Sequence, residues 1–264
     1  MKRIVIFTMT LLSIAQGAWS QDKGDAKYTI QTGDLTMIID SNGGKILSLK
    51  YKDAESISQS RFPESFGSTF WTSPQKEWNW PPVFEYDKQP YTVEERGSSL
   101  VMKSKVSQLL KYSITKEFAV DARDNAFVIN YTITNEGEAV RKVAPWEITR
   151  VQNDNGLIFF DADVNKITPA GLMNFKAEYG GVWYQTDVTN ANRKVNANGK
   201  GWLAYYNVTD MDRPLVSRPL RWSCHSLQGF AEEGEEDSGI GSPISIVLWK
   251  GSSHLVGDSL HTFL

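Results

Sequence analysis

Three indoles crowd into ten positions of this chain: Trp71, Trp78 and Trp80, with Pro74, Pro81 and Pro82 among them. The prolines argue against a helix and against a central strand, so residues 66–84 are expected to form a long ordered loop carrying large aromatics. Broad, rigid indole faces suit the weakly apolar C–H face of a pyranose ring and lose little conformational entropy on contact. Gln75, with Lys76, Glu77 and Asn79 beside it, offers donors and acceptors for sugar hydroxyls. The competing reading is that these tryptophans cap one open end of a hydrophobic core.

A second set lies in Val143-Ala144-Pro145-Trp146-Glu147-Ile148-Thr149-Arg150. With Trp146 and Ile148 turned inward, Glu147 and Arg150 are left for polar work. They would supply an acceptor and a multidentate donor for hydroxyls or for a carboxylated sugar. The alternative is an exposed strand with a surface ion pair of little consequence. Trp71, Gln75, Trp78, Trp80, Glu147 and Arg150 are therefore expected around one cleft, as substrate-binding residues, with Glu147 the candidate for acid–base chemistry. A glycosidase would need two facing carboxylates. Glu147, Asp161 and Asp163 are available, but their positions in sequence set no separation. No two histidines stand at ligand spacing in the body of the chain, and Asp161-x-Asp163 reads as a solvated strand edge, so neither a metal nor a cofactor is expected. The single cysteine, Cys224, excludes an intrachain disulfide.

The elements that must hold these residues read as strands. In Ala126–Asn135, Phe127, Ile129, Tyr131 and Ile133 fall on one face, and Asn130, Thr132 and Thr134 on the other. In Leu110–Phe118, Leu110, Tyr112, Ile114 and Phe118 share a face against Lys111, Ser113 and Thr115. Period two with β-branched and aromatic residues is the pattern of half-buried antiparallel strands. Tyr28–Gln31 and Leu35–Ile39 flank a Gly33-Asp34 turn, and Asp40-Ser41-Asn42-Gly43-Gly44 precedes the run Lys45–Tyr51. Helical periodicity is absent from the chain beyond its first twenty residues. The expected class is all-β, a large antiparallel β-sandwich, with residues 21–264 as one domain. Tyr179–Gln185 and Lys200–Tyr206 are further strands entered from glycine turns, with Trp202 expected in the core.

Composition is that of a globular protein, 41% hydrophobic and 22% charged, and nine tryptophans are its unusual feature. A net charge of −3 supplies no basic field for nucleic acid. Lys2 and Arg3, the apolar run Ile4–Ala15, and Ala18-Trp19-Ser20 have the layout of a secretory signal peptide, residues 1–20, cut after Ser20. That run is shorter than the roughly 20 residues a membrane span needs, and no longer one follows. The expected location is the periplasm or the exterior.

Asn42-Gly43-Gly44-Lys45-Ile46-Leu47-Ser48-Leu49, and the alternating strand ending Tyr131-Thr132-Ile133-Thr134-Asn135, resemble the galactose-mutarotase-like proteins. Gly67–Gln75 with Trp78-Asn79-Trp80-Pro81-Pro82, and Ala144–Arg150, resemble more closely an uncharacterised family of secreted bacterial proteins of that fold. The resemblance covers roughly residues 28–206. It implies a galactose-mutarotase-like supersandwich with a carbohydrate-facing concave sheet, in the envelope of a Gram-negative bacterium. It does not carry an activity across. Aldose epimerases pair a glutamate with a histidine on opposite sides of the sugar, and this chain has no histidine before His225. The tail departs from the pattern: past about Asn207 the alternation fades, Arg213–Arg221 holds three arginines, and Glu232–Asp237 is acidic. A divergent or frame-altered tail is one reading of it.

The function expected from these features is saccharide binding or processing in an aromatic-lined cleft. The rivals are a cell-envelope interaction module without enzymatic activity, and an epimerase-like or glycosidase-like enzyme that uses carboxylates. Interface hot spots also favour tryptophan and tyrosine, so composition does not separate them.

Overall fold

The computed structural model describes residues 26–59, 66–152, 155–186 and 195–207, together with the strand segments 18–21, 222–224, 244–249, 253–254 and 259–263. The chain opens with β1 (Ala18–Gln21), β2 (Lys27–Thr32), β3 (Leu35–Asp40), β4 (Lys45–Tyr51), β5 (Ala54–Glu55) and β6 (Ser68–Ser73). A short helix, α1 (Phe84–Asp87), leads to β7 (Thr92–Arg96), β8 (Ser99–Lys103), β9 (Tyr112–Asp121) and β10 (Ala126–Asn135). Then come β11 (Lys142–Val151), β12 (Gly156–Ala162), β13 (Lys176–Glu178), β14 (Gly181–Gln185) and β15 (Gly199–Asn207). The last strands are β16 (Trp222–Cys224), β17 (Ile244–Trp249), β18 (Ser253–His254) and β19 (Ser259–Phe263).

These strands make three sheets. The largest runs β1-β2-β3-β4-β6-β11-β17, with β5 on β4 and β18 on β11. A second runs β19-β10-β9-β8-β7, and a third β13-β14-β12-β15-β16. The pairings that join β6 to β11, β9 to β10 and β12 to β15 are all antiparallel. The first two sheets face each other as a sandwich. Phe70 of β6 stacks on Tyr131 of β10 with ring centroids 4.3 Å apart and planes 8° from parallel.

Alternation explains the packing. In β10, Phe127, Ile129, Tyr131 and Ile133 are all buried, as their spacing requires. In β9, Tyr112, Ile114 and Phe118 are buried on the matching face. Ile158, Phe160, Val182, Tyr184 and Leu203 of the third sheet join the same hydrophobic core. Trp202, expected in that core, is half-buried and meets Phe159, with ring centroids 5.8 Å apart.

Two expectations need correction. Residues 66–84 are not one loop: Ser68–Ser73 is a strand between β4 and β11 in the largest sheet. The first proline of the stretch is Pro74, after the strand has ended, and Ser-Thr-Phe-Trp-Thr-Ser is β-prone up to that point. The tail is also less irregular than its sequence reads. Ile244–Trp249 lies alongside β11, and Ser259–Phe263 alongside β10. The arginine-rich and acidic stretches lie outside the described residues, as do residues 1–17 of the expected leader. Ala18–Ser20 fall in β1, which pairs with β2. No helix among the described residues is long and apolar enough to cross a membrane.

Candidate functional site

Adjacent strands β6 and β11 put Trp71 directly opposite Trp146. After β6 the chain turns through a short 3-10 helix, Gln75–Glu77, and brings two more indoles back onto that pair. The carbonyl of Gln75 accepts the backbone N–H of Trp78 and of Asn79, and the Trp78 indole donates to the Thr72 carbonyl at 2.8 Å. Trp71 then meets Trp78, Trp80 and Trp146 at centroid distances of 5.9, 5.9 and 5.6 Å, each edge to face. Such offset contacts add to the burial itself, by about 0.5–1.5 kcal/mol per pair. Trp78 is buried, Trp71 and Trp146 are half-buried, and Trp80 is 56% exposed. The cluster therefore ends in an open indole face. An ion pair from Arg141 to Glu77 at 2.9 Å ties the turn to the strand connection before β11.

Trp71 is anchored at its polar end. Its indole N–H donates to Asp87 Oδ1 at 3.0 Å, and Lys45 Nζ lies 3.2 Å from the other oxygen. The Trp146 indole N–H, buried in the same cluster, meets no acceptor among the described residues.

The sequence-derived site thus divides. Trp71, Trp78 and Trp80 come together, and Gln75 lies in the turn that joins them. Glu147 does not share their face. On a strand, neighbours point to opposite sides, so Glu147 points away from Trp146 and into the space between the sheets. Arg150 is three positions from Glu147, an odd spacing that separates these two as well. It lies on the Trp146 side, but four residues further on, roughly 13 Å along the strand. Its Nη1 donates to Thr69 Oγ1 at 3.3 Å. Trp146, expected to turn inward, therefore belongs to the cluster, and Glu147 is the residue turned inward.

Glu147 is 2% exposed. Ser68 donates a hydrogen bond to its Oε1, and Ser68 in turn lies 2.9 Å from the Thr149 hydroxyl. The Tyr131 hydroxyl approaches the same carboxyl from β10, and among the described residues no donor meets Oε2 at full hydrogen-bonding geometry. Burial pushes this carboxyl up to about 7, against the pull of the Ser68 hydrogen bond and the Lys116 charge. Lys116 is the partner that the sequence reading passed over. It is 1% exposed, and its ammonium donates to the Gly43 and Gly44 carbonyls at 2.8 and 3.0 Å. The Tyr91 ring lies 5.3 Å from it and the Phe70 ring 5.7 Å. Burial lowers its pKa to about 8, while Glu147 and Asp87 pull it back up. The signal for Lys116 was in the alternation: it stands between Ile114 and Phe118 on the apolar face of β9. Nothing in the sequence marks Asp87.

The other candidates carry less. Asp163 caps a short 3-10 turn by accepting the Asn165 N–H at 3.0 Å, and no group of three or more metal-ligating side chains occurs among the described residues.

The fold is an antiparallel β-sandwich similar to that of galactose mutarotase-like proteins. A galactose mutarotase-like protein from Lactobacillus casei superposes with a TM-score of 0.56 at 11% identity, over 89% of this chain and 98% of that one. A galactose mutarotase related enzyme from Lactobacillus acidophilus gives 0.60 at 9% identity, over 90% and 96%. A TPR-domain containing protein from Parabacteroides distasonis gives 0.54 at 10% identity, over 90% of this chain and 46% of that one. Neither a family model nor a curated protein matches the sequence. Identities this low carry the fold alone.

Proposed function

We propose that the chain is an exported carbohydrate-binding protein of the periplasm or cell exterior, with the saccharide stacked on the tryptophan cluster. The observation that carries this reading is Trp80: an indole more than half exposed, held edge to face on Trp71 at the open end of a packed cluster. Gln75 and Glu77 stand in the adjoining turn, and Arg141, paired with Glu77, reaches it from the connection before β11, giving polar groups for hydroxyls. Glu147, enclosed between the sheets, has no place in the contact with ligand, so the reading is one of binding rather than of catalysis by that carboxyl.

Trp80→Ala is expected to weaken saccharide binding by about tenfold or more, the equivalent of 1–3 kcal/mol of ring contact. Calorimetry against a panel of hexoses, hexosamines, hexuronic acids and their oligomers measures it, with circular dichroism confirming an unchanged fold. A panel with no binder would end the proposal.

A protein-interaction role has one observation in its favour. Phe84 and Leu109 are 58% and 60% exposed, and the turn bearing Leu109 is fastened to α1 by Gln108 N–H donating to Glu85. That role would be marked by Phe84→Ser abolishing a protein contact while saccharide affinity stays as it was. Export is tested separately: mass spectrometry of the mature protein in its host should find a new N-terminus at Gln21, and an intact Met1 would contradict it.

A further inference from the structure

We infer that Asp87 is the positioning residue of the saccharide platform, and that the Asn42-Gly43-Gly44 turn with Lys116 is the base that holds it; this rests on the saccharide reading above. Trp71 is the central ring of the cluster, touching each of the other three indoles, so its tilt sets where Trp80 presents its face. A ring packed by edge contacts alone can still slide. The hydrogen bond from Trp71 Nε1 to Asp87 Oδ1 at 3.0 Å removes that freedom. Asp87 is itself 6% exposed and held from three sides. It ends α1, its backbone N–H donating to Val83 O at 3.0 Å. Its second oxygen pairs with Lys45 at 3.2 Å. Its backbone packs directly against Gly43, where a Cβ would collide with the Asp87 carbonyl oxygen.

That close approach explains the glycine pair. Gly43 and Gly44 both take positive φ, +74° and +55°, and Gly43 N–H donates to Gln89 O at 2.9 Å. Their carbonyls are turned inward and receive the Lys116 ammonium. A buried ammonium with two carbonyl acceptors fixes the turn, the turn fixes the end of α1, and α1 carries Asp87 to Trp71. The device places a charged acceptor at the polar edge of a ring whose other edges are apolar. A bond to a charged acceptor is about twice as strong as a neutral one.

The test uses three variants of the full chain. Asp87→Ala removes both the Trp71 acceptor and the Lys45 partner. Asp87→Asn keeps a neutral acceptor for Trp71. Lys45→Met removes the ion pair alone. Asp87→Ala is expected to weaken binding to the tightest saccharide of the hexose, hexosamine and hexuronic acid panel by about tenfold. Asp87→Asn and Lys45→Met should both stay within about threefold of the parent. In nitrogen-15 spectra, the Trp71 indole N–H resonance should move upfield, and its hydrogen exchange quicken, in Asp87→Ala but not in Lys45→Met. Thermal unfolding separates collapse of the fold from loss of position: should Asp87→Ala fail to fold, a smaller upfield move of the Trp71 indole resonance in Asp87→Asn, with none in Lys45→Met, supports the inference, and an unmoved resonance in Asp87→Asn overturns it. Parent-like affinity and an unmoved Trp71 resonance in Asp87→Ala, while Trp80→Ala loses binding, would overturn this inference and leave the saccharide reading standing. Undiminished binding in Trp80→Ala, or no saccharide bound by the parent, removes the saccharide reading and this inference with it.

Discussion

A Glu147→Gln variant is expected to be more stable than the parent protein above pH 7 and equal to it below about pH 4.5. An unfolded glutamate titrates near 4.5, and burial holds the folded one near 7. Between those values the folded state retains a proton that the unfolded state has released. Stability therefore falls as pH rises through that window. The full difference is about 3 kcal/mol, at 1.36 kcal/mol per unit. Lys116 contributes the opposite slope higher up: with a folded value of about 8 against 10.5 unfolded, it makes stability rise between those two pH values. The parent should pass through a stability minimum between about pH 7 and pH 8, and the glutamine variant should keep only the alkaline limb, beginning at lower pH because the Glu147 charge no longer raises Lys116. Glutamine fits because its carbonyl can still accept the Ser68 hydroxyl. Urea denaturation from pH 4 to pH 10 reads both limbs, and parallel curves for parent and variant would show that Glu147 is not a buried titrating group.

Phe70→Ala should be the most damaging single truncation in the aromatic stretch, at about 3–5 kcal/mol. Phe70 is 1% exposed, parallel-stacked on Tyr131 of the opposite sheet, and placed beside the Lys116 ammonium. Its removal opens a cavity where the two sheets meet and strips a buried charge of one neighbouring ring. Trp80→Ala, only ten residues on, should stay within about 1 kcal/mol, because much of that ring already faces solvent. Chemical denaturation of the two variants side by side gives the contrast. Equal losses would mean that Trp80 is a core residue after all and would remove the platform.

The strand pattern was legible from the residues alone. Period two is a property of the backbone, so Phe127, Ile129, Tyr131 and Ile133 had to share a face, and Gly43 in Asp40–Gly44 had to mark a turn. The same rule contained more than was drawn from it. It put Lys116 among Ile114 and Phe118, and it separated Glu147 from Trp146 and from Arg150, since odd spacings on a strand change sides. What alternation could not supply was the side that faces the core. That depends on which sheet packs above, and in β11 the polar Glu147 is the residue enclosed, because Ser68, Tyr131 and Lys116 converge on it from three other strands. The meeting of Trp71, Trp78 and Trp80 was expected from their crowding, but their tilt was not. It depends on Trp146, over seventy positions away in sequence, and on Asp87, whose place beside Trp71 is set by where α1 docks against the glycine turn. Contacts of that kind are made only when distant strands close over one another, so no local pattern announces them.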